Sequence, residues 1–525
     1  MVVLRRTRPD LPRSFRTPWV PFVPLVGVAF AVRLIANLDA VRGLDGARTG
    51  GVRRVRIPEL GGEPGEEGSM KQIERAAEIA AEWAATDPKT RTAVLTGVAD
   101  ALDEAGPSLI EIADAETRLG TKRLTGELAR TTFQLRLLAA ESGSYHDVRI
   151  DRADPSWPPG PRPELRRYRT AVGPVLVFAA SNFPFAFSVA GGDTASAWVA
   201  GCPVVVKAHP GHPELSRRTA SVVVEALGRR GALLGLVEGE AAGVDALRHP
   251  AIAAAAFTGS VSGGLALARI AAERPVPIPF HGELGSVNPV IVLPGAARSR
   301  AEELAEGYAG SLTLGNGQFC TNPGLVFVPS ESPFGDLVAE RLREVPAAPF
   351  LNDRIASGFQ TGAARLAAIP GMREVVRGPG AQLLEVALED FVPEAAEECF
   401  GPLGVVVRYS RPSDVLPVLA ALPGQLTTTV HASPEEASEV ETLRPVLADR
   451  SGRILWGGWP TGVAVTAAMQ HGGPFPATTS PASTSVGTAA VERFLRPVSY
   501  QDWPSHLLPE PLRDDNPWDV PQHFS

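Results

Sequence analysis

From Met70 onward, apolar residues recur at three- and four-residue steps: Ile73, Ala76, Ala77, Ile79, Ala80 and Trp83. That spacing is one face of an amphipathic helix, and Asp87-Pro88 ends it. Three further helices are predicted over about 89–104, 107–119 and 127–142, the last carrying Arg130, Gln134 and Arg136. The proline-rich, charged segment 144–170 breaks the periodicity and is predicted to be an extended arm. Beyond it, 174–180 and 203–206 are uninterrupted apolar runs, which suits strands buried on both faces of a parallel sheet. A small-residue helix over 190–201 between them completes a βαβ unit. A third strand, 253–257, runs into Thr258-Gly259-Ser260 and a helix over 265–273, and 288–293 reads as another strand. Strands alternating with helices give the fold class α/β.

Composition narrows the function without naming it. The chain has 525 residues, 44% hydrophobic and 21% charged, the balance of a globular protein of two or three domains. A net charge of −8 and the lack of any long basic block argue against nucleic acid as a partner. Cys202, Cys320 and Cys399 are odd in number and far apart. They form no disulfide framework and match no zinc spacing, so the expectation is a reducing, cytoplasmic location and no metal. Residues 1–65 read differently: arginines at 5, 6, 8, 13 and 16 precede an apolar run from Trp19 to Val32. Pro21 and Pro24 interrupt that run, and it falls short of the roughly 20 residues that span a bilayer. An unstructured or wrongly started leader is favoured over a membrane-surface anchor or a signal peptide. Gly61–Ser69 reads as a linker, and Val52–Ile57 as the remnant of a strand.

Candidate chemistry gathers at strand ends and glycine-rich turns. Cys320 lies in Gly315-Asn316-Gly317-Gln318-Phe319-Cys320, a stretch able to turn tightly against a ligand. A lone cysteine is more often a small buried hydrophobe. Asn182 and Lys207 fall at the carboxyl ends of the first two strands, where open α/β sheets bind ligands. Ser260 is a good helix N-cap beside Gly259, a ready anion site, although this is not the G-x-G-x-x-G fingerprint. Glu283 alone would be a solvated loop carboxylate, and Glu398 one member of an acidic run.

Together, Ser181-Asn182-Phe183-Pro184, Val206-Lys207, Phe257-Thr258-Gly259-Ser260, Glu283-Leu284-Gly285, Gly317-Gln318-Phe319-Cys320 and Glu398-Cys399-Phe400-Gly401-Pro402 resemble the aldehyde dehydrogenase superfamily in order and spacing. The resemblance covers roughly residues 70 to 500. Three segments point within it to the α-ketoglutaric semialdehyde (2,5-dioxovalerate) dehydrogenases: 207–213, 457–463, and 471–479 with 484–487. The resemblance implies a Rossmann-like cofactor domain, an α/β catalytic domain and a small β arm that forms homodimers or homotetramers. On this chain it implies a nucleotide-binding domain over 66–286 with the arm at about 144–170, and a catalytic domain over 287–465. A C-terminal substrate loop, oligomerisation strand and tail would follow over 466–525. It further implies that Cys320 is the nucleophile and that Asn182 with the Cys320 N–H forms the oxyanion hole. Glu283 would be the general base, Lys207 would hold the adenosine ribose, Gly259 and Ser260 the pyrophosphate, and Glu398 the nicotinamide ribose, with Phe400 also at the cofactor.

These groups suit oxidation of an aldehyde through a thiohemiacetal and a thioester, the latter hydrolysed by water that needs a base. Cys320 would be activated either by its polar surroundings and bound cofactor or by Glu283 accepting its proton. Many relatives have a glutamate three residues after the cofactor lysine, and Pro210 stands there in this chain. NADP should then be used at least as well as NAD. An aldehyde with a distal carboxylate calls for an arginine receptor, with Arg130 or Arg136 and Gln134 as candidates. Alternatives of other kinds are a broad or fatty aldehyde dehydrogenase, an acylating coenzyme A-dependent relative, a silent nucleotide-binding protein, and a cysteine hydrolase. The last would need a histidine base such as His281, His431 or His471.

Overall fold

The computed structural model describes residues 66–158 and 160–525. The leader reading of residues 1–65 and the strand remnant at Val52–Ile57 lie outside the described residues. Four helices come first: α1 (Glu66–Ala84), α2 (Pro88–Glu104), α3 (Gly106–Thr117) and α4 (Thr121–Ala140). α1 begins before Met70, so Glu66–Ser69 are helical rather than linker. The single Gly68 costs about 1 kcal/mol in a helix, too little to stop it. Asp87 caps α2 by accepting from the Thr90 N–H at 2.9 Å, with Pro88 in the first turn. α4 starts six residues earlier than its periodicity predicts, because left-handed Arg118 (φ 57°) ends α3 and Gly120 (φ 83°) redirects the chain. Polar anchors seat the bundle. The Trp83 indole donates to the Trp198 carbonyl at 3.0 Å, and the buried Arg91 guanidinium donates to the Val199 and Ala84 carbonyls at 3.0 and 2.8 Å.

The segment expected to be an extended arm contains a short 3₁₀ turn and two strands, β1 (Val148–Asp151) and β2 (Leu165–Ala171). The first large sheet follows, with β3 (Val175–Phe178), α5 (Gly192–Ala200), β4 (Val204–Lys207), α6 (Pro213–Leu227), β5 (Leu234–Val237), α7 (Glu240–Arg248), β6 (Ala254–Thr258), α8 (Val261–Glu273) and β7 (Phe280–Glu283). Its order is β5-β4-β3-β6-β7 and every pairing is parallel. β3 and β4 are buried along their whole length, as their unbroken apolar runs require. The chain moves outward from β3 to β4 and β5, then returns to the other side of β3 with β6. That reversal opens a crevice outside the carboxyl ends of the strands. Glu283 ends β7, paired with Thr258, and so sits on a strand rather than on the expected loop.

The second sheet contains β8 (Val290–Val292), β9 (Leu325–Pro329), β10 (Arg373–Arg377), β11 (Gln382–Ala387), β12 (Leu403–Tyr409), β13 (Gln425–His431) and β14 (Ser451–Trp456), in the order β10-β11-β12-β9-β8-β13-β14. Only β10 runs antiparallel to its neighbour. Helices α9 (Pro294–Thr313), α10 (Phe334–Arg343), α11 (Asp353–Ala367), α12 (Pro412–Ala421) and α13 (Ala437–Arg450) supply the rest of its two apolar layers. Finally β15 (Leu495–Gln501) pairs along all of β2, and β16 (Gln522–Phe524) pairs with β1, giving a four-stranded arm. Among the described residues no helix is long and apolar enough to cross a membrane. Nor does any cluster of three or more potential metal ligands occur among them.

Candidate active site

The thiol is held by the turn before it. Gly315, Asn316 and Gly317 all have positive φ (57°, 57° and 65°), and a Cβ on Gly317 would run into the backbone of Gly401. Only glycine combines that backbone with that approach. Behind the thiol, fully buried Asn288 donates from Nδ2 to the Cys320 carbonyl at 2.8 Å and to the Asn322 carbonyl at 2.9 Å. Asn288 itself has φ 49°, and the Gln425 side-chain oxygen accepts from its N–H at 3.2 Å.

Asn182 follows β3 and is buried. Its Nδ2 donates to the Gln318 carbonyl at 3.0 Å, and its own carbonyl accepts from Arg123 at 2.7 Å. The loop after it is fixed from α4, whose Arg123, Glu127 and Arg130 form one helical stripe. The Glu127 carboxylate accepts from the N–H groups of Phe185 and Ala186 at 2.8 and 3.0 Å. Arg123 lies over Phe183 and Phe319, and Arg130 over Phe183 and Phe187.

Cys320 Sγ lies 3.6 Å from His471 Nε2. Burial pushes the thiol up to about 12, with the Glu398 and Glu283 carboxylates adding to the rise. His471 is 3% exposed, and burial, with Arg453 and Arg130 behind it, pushes its imidazolium form down to about 3. Glu283 is held well above the ordinary carboxyl range by burial. Its Oε2 has no hydrogen-bond partner, and its backbone bridges to Thr478. Burial also raises Glu398 to about 7. Glu398 and Phe400 share a cavity with Ser286, Gly317 and Phe319.

Lys207 and Ser260 lie at the carboxyl ends of β4 and β6, where open α/β sheets bind nucleotides. Lys207 ends β4, buried, and among the described residues no carboxylate forms an ion pair with it. Its stem passes so close to Gly243 that a Cβ there would lie 2.8 Å from Cγ. Ser260 caps α8, accepting from the Gly263 N–H at 3.2 Å, and a Cβ on Gly259 would meet the Phe257 ring at 2.6 Å. An unpaired ammonium and a glycine-lined helix start at the carboxyl ends of neighbouring strands suit a ribose and a pyrophosphate.

The structure separates the three substrate candidates. Arg130 is partly buried over Phe183 and Phe187, within the electrostatic reach first of Glu127 and then of Cys320, and its buried Nε has no partner. Gln134 is buried elsewhere, its amide filling the space where a side chain on Gly192 would sit. Arg136 is on another face, paired with Asp100 and Asp103 at 2.6 and 2.7 Å. Sequence reasoning overlooked Arg453, Asn288 and Glu127 and gave His471 no part in aldehyde chemistry. Arg453 donates to the carbonyls of Pro460 and Gly462 at 2.6 and 3.0 Å, and its charge acts on Cys320. The one available signal was the Arg123/Glu127/Arg130 spacing on a helix.

Comparison with known proteins gives a consistent result. Residues 64–385 match the model of the aldehyde dehydrogenase family. Alpha-ketoglutaric semialdehyde dehydrogenase 2 of Azospirillum brasilense is 45% identical over 478 residues, covering 86% of this chain and 91% of that protein. Alpha-ketoglutaric semialdehyde dehydrogenase of Acinetobacter baylyi is 39% identical over 472 residues, covering 86% and 90%. Among solved structures, 3,6-anhydro-L-galactose dehydrogenase superposes with a TM-score of 0.72 at 20% identity, covering 83% of this chain and 92% of the other. Succinic semialdehyde dehydrogenase of Streptococcus pyogenes does so at 0.71 and 17%, covering 83% and 95%. The protein is a member of the aldehyde dehydrogenase family.

Proposed function

We propose that this enzyme oxidises α-ketoglutaric semialdehyde to 2-oxoglutarate with reduction of NAD(P), Cys320 being the nucleophile. The observation that carries the reading is the convergence of three groups: the thiol within the field of Glu283, and the Asn182 amide bonded two residues before it. The sulfur attacks the aldehyde carbon, and the oxygen becomes an anion. Asn182 keeps a second N–H for that anion, and the Cys320 N–H is a further donor. A nicotinamide held in the crevice would supply the hydride acceptor, and the carbon that gives up hydride stays on Cys320 as a thioester. Glu283 then takes a proton from water, water adds to the thioester carbon, and the C–S bond breaks to release the acid. Lys207, Gly259, Ser260, Glu398 and Phe400 would hold the cofactor.

Substrate choice follows from charge. Arg130 is half-buried, lies within electrostatic reach of Cys320 and has no carboxylate ion-pair partner among the described residues, which supports it as the receptor for the distal carboxylate. Gln134 is buried against Gly192 and Arg136 is paired with Asp100 and Asp103, so neither is needed for that role. NADP should serve at least as well as NAD. Pro210 brings no carboxylate against a 2′-phosphate, and Glu240, which acts on Lys207, is itself paired with Arg354 at 3.5 Å. The four-stranded arm supports assembly as a homodimer or homotetramer, and the three free cysteines support a cytoplasmic location.

The test is a panel: α-ketoglutaric semialdehyde, succinic semialdehyde and an uncharged alkanal, each with NADP and NAD, followed by absorbance of the reduced cofactor. The expected result is the highest kcat/KM for α-ketoglutaric semialdehyde, with NADP no worse than NAD. Preference for the alkanal would favour a broad or fatty aldehyde dehydrogenase, and a strong NAD preference would remove the cofactor assignment.

A further inference from the structure

Glu283 has two tasks in the reaction above if it must also deprotonate the thiol, and the geometry argues against the second. No hydrogen bond joins Glu283 to the sulfur. Its carboxylate acts on Cys320 only through charge, and in the direction that keeps the proton on sulfur. The side chain that does meet Sγ is His471, with Nε2 at 3.6 Å, ordinary for a hydrogen bond involving sulfur. The imidazole is held in place by its own backbone. Its N–H donates to Thr484 Oγ1 at 2.9 Å, and its carbonyl accepts from the Ser485 N–H at 2.9 Å and the Ser485 hydroxyl at 3.2 Å. The same loop reaches the other base, since a Cβ on the next residue, Gly472, would lie 3.5 Å from Glu283 Oε1. The His471-Gly472 segment therefore lies between the thiol and Glu283, with His471 against the first and Gly472 beside the second.

We propose that His471 is the general base for Cys320: its Nε2 takes the thiol proton as sulfur attacks the aldehyde and returns it to sulfur when the thioester breaks. This rests on Cys320 being the nucleophile of the proposed reaction. Protons balance without a further donor. The thiol proton is stored on His471 and given back to the leaving sulfur, while Glu283 handles the proton of water and hydride goes to the nicotinamide. The charged groups acting on the imidazole are Arg130 of α4 and Arg453 of β14, and Glu283 and Glu398 act on the sulfur. Burial first, then Arg453 and Arg130, keep the ring neutral at physiological pH and a weak base at rest, so the proton moves only as charge develops on the attacked aldehyde oxygen. The resting pair is a neutral thiol and a neutral imidazole. Proton transfer thus accompanies carbon–sulfur bond formation and does not precede it, which protects the thiol between turnovers.

The experiment is rapid mixing of the holoenzyme with α-ketoglutaric semialdehyde and NADP, reading the first-turnover burst of NADPH from neutral to alkaline pH. For wild type the burst rate should be nearly flat with pH. In His471→Asn it should fall about 10²-fold at neutral pH, the usual contribution of a general base, and rise in proportion to hydroxide. Glu283→Gln should keep the burst and lose the steady state. A wild-type burst rate and pH profile in His471→Asn overturns the inference, because a merely structural role would lower active-site content without changing the slope. If His471→Asn misfolds, His471→Gln and a solvent deuterium isotope effect on the wild-type burst decide instead: an effect near unity overturns the proposal. Failure of every aldehyde to give NADPH with wild type would be a different result, one that strikes the proposed function itself.

Discussion

At the scale of single residues, roles divide between groups that meet the reacting atoms and groups that hold them. Asn182→Ala removes one oxyanion donor and should lower kcat by about 10²–10³ while changing KM little, measured at saturating cofactor. Arg130→Ala should lower kcat/KM for the acidic aldehyde by roughly 10–10²-fold, the usual loss for a hydrogen bond to a charged group, and spare an uncharged aldehyde. Arg136→Ala should leave both unchanged, because its ion pairs with Asp100 and Asp103 are largely exposed and worth about 0–1 kcal/mol. Equal loss on both substrates in Arg130→Ala would show packing against Phe183 and Phe187 rather than recognition of charge. Cys320, Asn182 and Glu283 stood out in sequence through the short motifs that resemble the aldehyde dehydrogenases; taken alone, Glu283 reads as a solvated loop carboxylate. Arg130 and Arg136 were not distinguishable. Both lie on one helix, and only the loop that packs on α4 decides which face is inside. Arg453 left no trace in sequence, since its electrostatic reach to the thiol depends on β14 being the edge strand beside β13.

Elements were read well where one physical rule dominates. The doubly buried strands β3 and β4 and the Ser260-capped helix follow from apolar runs and a capping hydroxyl. The early start of α4 was hidden because its first turn, Thr121-Lys122-Arg123, is polar and its stripe of Arg123, Glu127 and Arg130 carries charge where a hydrophobic pattern expects carbon. Contacts between elements remote in sequence were beyond reach for the same reason. Asp193 in the first turn of α5 and Arg493, just before β15, form a 2.7 Å ion pair with side chains 7% and 2% exposed. Sequence places them 300 residues apart. Taking away one partner strands a buried charge, so Asp193→Ala should destabilise the fold by about 3–5 kcal/mol, read as a lower denaturant midpoint. Asp193→Asn, which keeps an acceptor for the guanidinium, should cost less. An unchanged midpoint in Asp193→Ala would mean that the pair exchanges with water.

For the whole molecule, the two sheets share the crevice through buried carboxyls, and these give stability a definite dependence on pH. Burial raises Glu127 and Glu398 each to about 7, and holds Glu283 well above the ordinary value of 4.5. A carboxyl whose folded pKa exceeds its unfolded pKa binds more protons folded than unfolded between those two values. Its contribution is therefore fully present below about pH 4.5 and is lost as pH rises through about 7. Glu127 isolates the effect, because it lies behind the Asn182 loop and touches no reacting atom. Glu127→Gln retains an oxygen to accept from Phe185 and Ala186 but cannot ionise. Relative to wild type, the variant should gain on the order of 2–3 kcal/mol between pH 5 and pH 8, at about 1.36 kcal/mol per pKa unit. Thermal unfolding of both proteins at the two pH values measures it. Glu283 and Glu398 titrate in both proteins and cancel in the difference, so parallel Tm curves would mean that Glu127 keeps its charge in the fold, stabilised by Arg123, Arg130 and the two N–H groups more than burial opposes it.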